Sequence, residues 1–177
     1  ESVEMLELLQ KRRSIRSYKS ETIGEEKLQK ILQAALLSPS SRNRAPWEFV
    51  VVEEKGTLQR LEKCRHPQQN FLPAASVAVV VVGDPAVSDV WIEDCSIAMI
   101  LMQLEAERLG LGSCWVQIRR RMAQGEAESS SDYVKTLLHI PSQYEVLAIL
   151  ALGVPAEEKA KRNMNTLQTE KIHRESF

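Results

Sequence analysis

The hydrophobic positions of this chain switch between two periods. Leu28, Ile31, Leu32, Ala35 and Leu36 recur three and four residues apart, which predicts a helix over 25–37. Glu25 and Glu26 suit the positive end of its dipole, and Pro39 stops it inside the turn-rich run SPSSRNRAP at 38–46. The segment WEFVVVE at 47–53 then reads as a strand, and 55–63 as a short helix. SVAVVVVG at 76–83 is β-branched without alternation, the pattern of a strand covered on both faces. The longest helical pattern runs over 90–109. Its middle, IAMILM, is apolar all round, which predicts a place at the centre of the molecule, and Gly110 follows as its cap. Residues 111–116 read as a strand, 119–131 as a polar loop and 132–139 as a short helix closed by Ile140 and Pro141. EVLAILAL at 145–152 is a last buried strand, ended by Gly153. Near the start, Met5, Leu6, Leu8 and Leu9 give a short helix an apolar face that runs into Lys11-Arg12-Arg13.

No linker and no internal repeat interrupts this order, so residues 1–177 are expected to form one domain. Helices interleaved with buried strands predict an α+β fold, a three-layer sandwich around one sheet. The charged tail from Pro155 onward has little apolar content to make a core of its own. The central helix is apolar on more faces than one small domain covers. Both features point to a homodimer.

Composition narrows the function. Apolar residues make up 44% and charged residues 27%, an ordinary globular balance. Lys and Arg total 23 against 24 Asp and Glu, so the basic excess of a general nucleic-acid binder is missing. Cys64, Cys95 and Cys114 are odd in number and have no CxxC spacing. His66, His139 and His173 are scattered. These facts argue against a disulfide framework or a metal site and favour a reducing, cytoplasmic setting. No apolar stretch is long enough to span a bilayer, so no membrane partner is expected.

Three stretches carry candidate chemistry. RRSIRSY at 12–18 gathers Arg12, Arg13, Ser14 and Arg16, whose guanidinium forks and hydroxyl suit phosphate oxygens. A solvated basic helix end would look the same. SPSSRNRAPW offers Ser40, Ser41 and Asn43 as short donors and acceptors ahead of a strand, the pattern also of a plain turn. GLGSCWVQ at 110–117 lets backbone approach a planar ring, and Trp115 can stack on it or sit in a core. Cys114 lacks a basic partner in sequence and reads as a buried structural thiol. The one GxG, at 110–112, follows a helix and lacks the third glycine, so no Rossmann site is expected.

In this order, KRRSIRSY, AALLSPSSRNRAPWEFVVV, ASVAVVVVGD, DCSIAMILMQLEAERLGLGSCWV and LHIPSQYEVLAILALGVP resemble the nitroreductase family of FMN-dependent oxidoreductases across almost the whole chain. The resemblance implies a domain-swapped homodimer with a mainly antiparallel central sheet. Two FMN molecules would lie in clefts between the subunits, and the tail at 155–177 would reach across the dimer. Arg12, Arg13, Ser14 and Arg16 would hold the FMN phosphate and ribityl chain. Pro39, Ser40, Ser41 and Asn43 of the other subunit would meet the same flavin. Trp115, Val116 and Gln117 would line one face of the ring, with a backbone N–H toward flavin N5. Gln68 or Asn70 would meet the pyrimidine edge. Arg162 is the positional match for a tail residue on the phosphate, with Lys161 and Lys171 as rivals.

The implied activity is transfer of a hydride from NADH or NADPH through flavin N5 to an electron-poor small molecule such as a nitroaromatic or a quinone, in ping-pong fashion. No side-chain acid or base is required. Related chemistries on the same fold, namely dehalogenation and heterocycle dehydrogenation, and a non-catalytic FMN-binding protein stand as alternatives. Only residues 84–90 occupy the place of a helical insertion that shapes the pocket in larger members, so an open pocket is expected. Arg119, Arg120 and Arg121 follow the ring-binding segment; they would recruit an acidic substrate or a nicotinamide phosphate, or else be surface charge.

Overall fold

The computed structural model describes residues 2–177. Its core is one four-stranded sheet in the order β1-β2-β4-β3, built from β1 (Trp47–Val52), β2 (Val77–Gly83), β3 (Gly112–Gln117) and β4 (Glu145–Gly153). Every neighbouring pair is antiparallel. Helices α2 (Glu25–Leu36) and α4 (Trp91–Arg108) cover one face, while α3 (Lys55–Leu61) and α5 (Ser130–Leu138) cover the other. Helix α1 (Met5–Lys11) packs on α4. The result is the expected three-layer α+β sandwich.

Coverage of both faces explains the unbroken apolar runs. Val77, Val79 and Val81 of β2 enter the α2/α4 layer, and Ala78, Val80 and Val82 enter the α3/α5 layer. β4 carries a bulge at Leu147, where the register against β2 jumps between Val81 and Val82. The Leu147 carbonyl accepts from both Ile118 N–H (3.3 Å) and Arg119 N–H (3.0 Å), which turns the chain sharply out of β3.

Helix ends obey local chemistry. Gly110 at φ +76° closes α4, with Leu111 N–H donating back to the Ala106 carbonyl at 2.9 Å. The Ser129 hydroxyl accepts from Asp132 N–H at 3.0 Å, so α5 begins at Ser130, two residues earlier than its apolar pattern suggests. Two helices leave apolar side chains uncovered. On α1 only Leu8 is buried; Met5, Leu6 and Leu9 face outward, with Leu6 61% exposed. In the middle of α4, Ala98, Met99 and Met102 are buried but Ile97 is exposed, so the helix lies against the sheet and shows one apolar flank.

The tail divides in two. Residues 154–162 run back along residues 10–19 of the same chain: Lys19 N–H donates to Val154, Ala156 N–H to Ser17, and Arg162 N–H to Gln10. Residues 163–177 are exposed, and among the described residues their hydrogen bonds are with one another.

Candidate functional site

RRSIR is held as a strap against the start of β3. Ser14 bridges Ser113 in parallel, and Ile15 N–H donates to the Ser113 carbonyl at 2.9 Å. Ile15 is buried against Gly112, where a Cβ would lie 2.8 Å from Ile15 Cγ2. Tyr18 is seated in the same way on Gly153, where a Cβ would lie 2.6 Å from Tyr18 Cδ1. The two glycines let the strap lie flush, and its arginines remain outside. The tail grips this strap from the other side. Arg13 Nη1 donates to the Ala160 carbonyl at 2.5 Å, Arg16 N–H donates to Glu157 Oε2 at 2.9 Å, and Lys159 Nζ donates to the Ser14 carbonyl. Arg12 and Arg16 form no ion pair among the described residues.

Cys114 faces the strap and is buried. Burial pushes its thiol up, and the charges of Arg16, Lys159 and Arg12 with the Ser14 hydroxyl only partly offset this.

SPSSRN forms a tight turn between α2 and β1, with Arg42, Asn43 and Ala45 all in the left-handed region. Such backbone costs about 1–3 kcal/mol at a non-glycine residue and persists only where surroundings fix it. Here the fixing group is Asp94 in the first turn of α4. Its carboxylate accepts from Ser41 N–H and from the Ser88 hydroxyl, each at 2.9 Å. The Ser40 hydroxyl accepts from Ala45 N–H at 2.8 Å. Pro39 and Asn43 are exposed, and Ser40 and Ser41 are half-buried.

The third stretch follows strand alternation. Trp115 and Gln117 share the α2/α4 side of β3, where Trp115 Nε1 donates to Gln117 Oε1 at 2.8 Å. Val116 points the other way into the α3/α5 core and is buried. Val116 therefore presents only its backbone on the Trp115 and Gln117 side of the strand. The loop carrying Gln68 and Asn70 lies beside the end of β3. The Gln117 carbonyl accepts from Arg65 Nη1 (2.9 Å), Met122 from His66 N–H (2.9 Å) and Gln68 Oε1 from Gln124 Nε2 (2.6 Å). The buried Glu62 carboxylate accepts from the N–H groups of Asn70 and Leu72 and so shapes that loop.

Arg162 lies beside Arg13 at the strap, and Lys171 lies in the exposed end of the tail. Sequence reading missed four supports: Asp94, Glu62, Arg65 and Lys159. A carboxylate inside an apolar helix pattern was the available signal for Asp94. Among the described residues no cluster of His, Cys, Asp and Glu is placed to hold a metal, and no helix is long and apolar enough to cross a membrane.

The strap and the SPSSRN turn sit at opposite ends of α4. The turn hangs on Asp94, and the strap lies near Glu107. Asp94 and Glu107 are thirteen residue steps apart along α4, about 20 Å.

An arginine strap, a strained serine-asparagine turn and an antiparallel sheet between two helical layers define an α+β fold with two separated candidate segments. Comparison with known proteins gives the family. The family model described as "Nitroreductase family" matches residues 9–82 and 59–154, and this chain belongs to that family. It is 36% identical over 179 residues to an Archaeoglobus fulgidus protein named provisionally as an NADH dehydrogenase/NAD(P)H nitroreductase, covering 98% of this chain and 99% of that one. A similarly named protein of Methanothermobacter thermautotrophicus is 32% identical over 99% of this chain and 88% of its own length. Among solved structures, an FMN-dependent nitroreductase from Clostridium difficile R20291 superposes with a TM-score of 0.93 at 44% identity, covering 98% of this chain and 100% of that one.

Proposed function

We propose that two copies of this chain enclose two FMN molecules and pass a hydride from NADH or NADPH to an electron-poor small molecule such as a nitroaromatic or a quinone. One observation carries the reading: the SPSSRN turn hangs on Asp94 and the strap lies near Glu107, points about 20 Å apart along α4. One chain cannot close both on one ligand. A second copy lying antiparallel across α4 brings the turn of one chain to the strap of the other, twice. The exposed apolar side chains Met5, Leu6 and Leu9 on α1 and Ile97 on α4 supply surface for that contact. The tail beyond Arg162, with Leu167, Ile172 and Phe177 exposed, would lie on the partner.

The residues present suit FMN. Arg12 and Arg16 offer unpaired guanidinium forks for a phosphate dianion, and Arg13, Ser14, Lys159 and Arg162 border them. Pro39, Ser40, Ser41 and Asn43 of the second copy would meet the same molecule. Trp115, Gln117 and the backbone of Val116 would border its ring, with Gln68 or Asn70 at the pyrimidine edge. When bound, FMN supplies the hydride-accepting atom and the redox chemistry. The chain binds, orients and shields. Arg65 and Trp115 lock the Gln117 end of β3, and Asp94 locks the turn. The FMN-dependent relative at 44% identity and the NAD(P)H named for the archaeal relatives support cofactor and reductant.

The test is a visible spectrum of the purified protein, taken anaerobically before and after NADH or NADPH, together with its mass in solution. Flavin absorption that bleaches on a dimer is the expected result. Flavin that does not bleach would favour a non-catalytic FMN-binding protein, and a monomer that binds FMN would remove the split-site account.

A further inference from the structure

Four arginines stand on the two segments that meet at the end of β3. Arg119, Arg120 and Arg121 follow the strand, after Gln117 and Ile118. Arg65 arrives from the loop after α3, and its Nη1 donates to the Gln117 carbonyl at 2.9 Å. Arg65 Nε is buried with no hydrogen-bond partner. Burial first, and the charge of Arg121 second, hold this guanidinium below its usual range. None of the ion pairs among the described residues includes any of the four arginines. Glu126, an acid of the same rim, engages His66 at 3.5 Å instead.

The backbone also favours display of these charges. Arg120 stands at φ +62°, in the left-handed region that disfavours a side chain. Arg121 Nη1 donates to the Arg120 main-chain carbonyl at 3.1 Å, which holds the Arg121 guanidinium against the turn. The Leu147 bulge, accepting from Ile118 and Arg119 N–H groups, fixes the turn that presents them. Arg120 and Arg121 are exposed and have no acidic partner among the described residues, so guanidinium donors stand open to an anion.

We propose that Arg65, Arg119, Arg120 and Arg121 form an anion subsite at the mouth of the flavin cleft, which takes a phosphate or carboxylate group of the substrate entering beside Trp115 and Gln117. The inference rests on the flavoenzyme reading and deepens it by naming a substrate class. Paired guanidinium donors match the oxygen spacing of either group. The anion has two sources, the 2′-phosphate that separates NADPH from NADH, or a carboxylate on the acceptor.

The FMN-loaded protein is compared with R120Q/R121Q and R120E/R121E. Both side chains are exposed, so the fold survives either change. Two matched pairs are used: NADPH against NADH, and 4-nitrobenzoate against nitrobenzene. Calorimetric titration of adenosine 2′,5′-bisphosphate against 5′-AMP, and of the two nitro compounds, gives a readout independent of turnover. The charged member of one pair is expected to lose about tenfold in affinity and in KM with R120Q/R121Q, and more with R120E/R121E, while its partner and the FMN content hold. Selective loss in the first pair assigns the reductant phosphate, and in the second the acceptor carboxylate. Equal change in both members of each pair, or none, overturns the subsite. A wild-type protein that takes up no FMN overturns the flavoenzyme reading separately, and the calorimetric pairs still decide whether the arginines select an anion.

Discussion

Asp94 and Ser41 join the start of the central helix to the strained turn: the carboxylate, 2% exposed, accepts the Ser41 N–H at 2.9 Å. The same carboxylate accepts the Ser88 hydroxyl, so two loops depend on it. Asp94→Ala leaves buried donors unpaired and is expected to cost about 2 kcal/mol. Asp94→Asn keeps one acceptor oxygen and should cost less. Denaturant midpoints measure the stability, and FMN titration should show weaker binding in both variants because the turn loses its anchor.

Gly112 and Ile15 make a second test. A Cβ at residue 112 would press on Ile15 at 2.8 Å and lift the strap from β3. Gly112→Ala is expected to destabilise by about 1–3 kcal/mol and to weaken FMN binding. Adding Ile15→Ala should recover part of the FMN affinity, since it removes the colliding atoms. A double-mutant cycle with no coupling would refute the flush-packing account.

Removing Arg12 and Arg16 tests the charge at the strap. Each charge-assisted bond to a phosphate dianion contributes about 1.5–3 kcal/mol, so the double Ala variant should release FMN while the fold persists. Fluorimetric titration reads the affinity, and circular dichroism checks the fold. Unchanged affinity would return the arginines to ordinary surface charge.

Acid should loosen the strap from the tail. The Arg16 N–H holds the Glu157 carboxyl below its usual range, with Lys159 helping against a smaller upward push from burial. A carboxylate with a depressed folded value contributes stability that is full above its unfolded value and is lost as pH falls through the folded one. Glu157→Gln should therefore melt lower than the wild type at neutral pH. The two curves should converge in acid. Thermal melts at descending pH check both statements.

The three thiols should be silent in the native protein. Burial is the first cause that pushes Cys64 and Cys95 up to about 12, and the Cys114 thiol is raised as well. Little thiolate exists near neutral pH, so a thiol reagent should count none before unfolding and three after it. Rapid labelling of native Cys114 would reopen its candidacy as a nucleophile.

Local pattern made much of this legible. The helical spacing of Leu28, Ile31 and Ala35 matches their burial on α2, and the valines of β2 read at once as a strand covered on both faces. Gly110 was readable as a cap because its backbone requirement is local. The start of α5 was missed because Ser129 acts by a hydrogen bond, whereas apolar spacing reports only the buried face. The apolar face of α1 was legible too, but periodicity is silent on whether this chain or another covers it.

By itself the sequence determined the elements, their order, the two-sided burial of the sheet and the residue types that can meet a phosphate. These follow from backbone chemistry and from side-chain spacing within a few residues. Tertiary structure alone decided that Val116 faces the core while Trp115 and Gln117 share the other side, that Asp94 holds the turn from fifty-three residues away, and that Arg65 joins Arg119–Arg121 at one strand end. Those relations depend on long-range pairing and on a bulge at Leu147, and no local period encodes either.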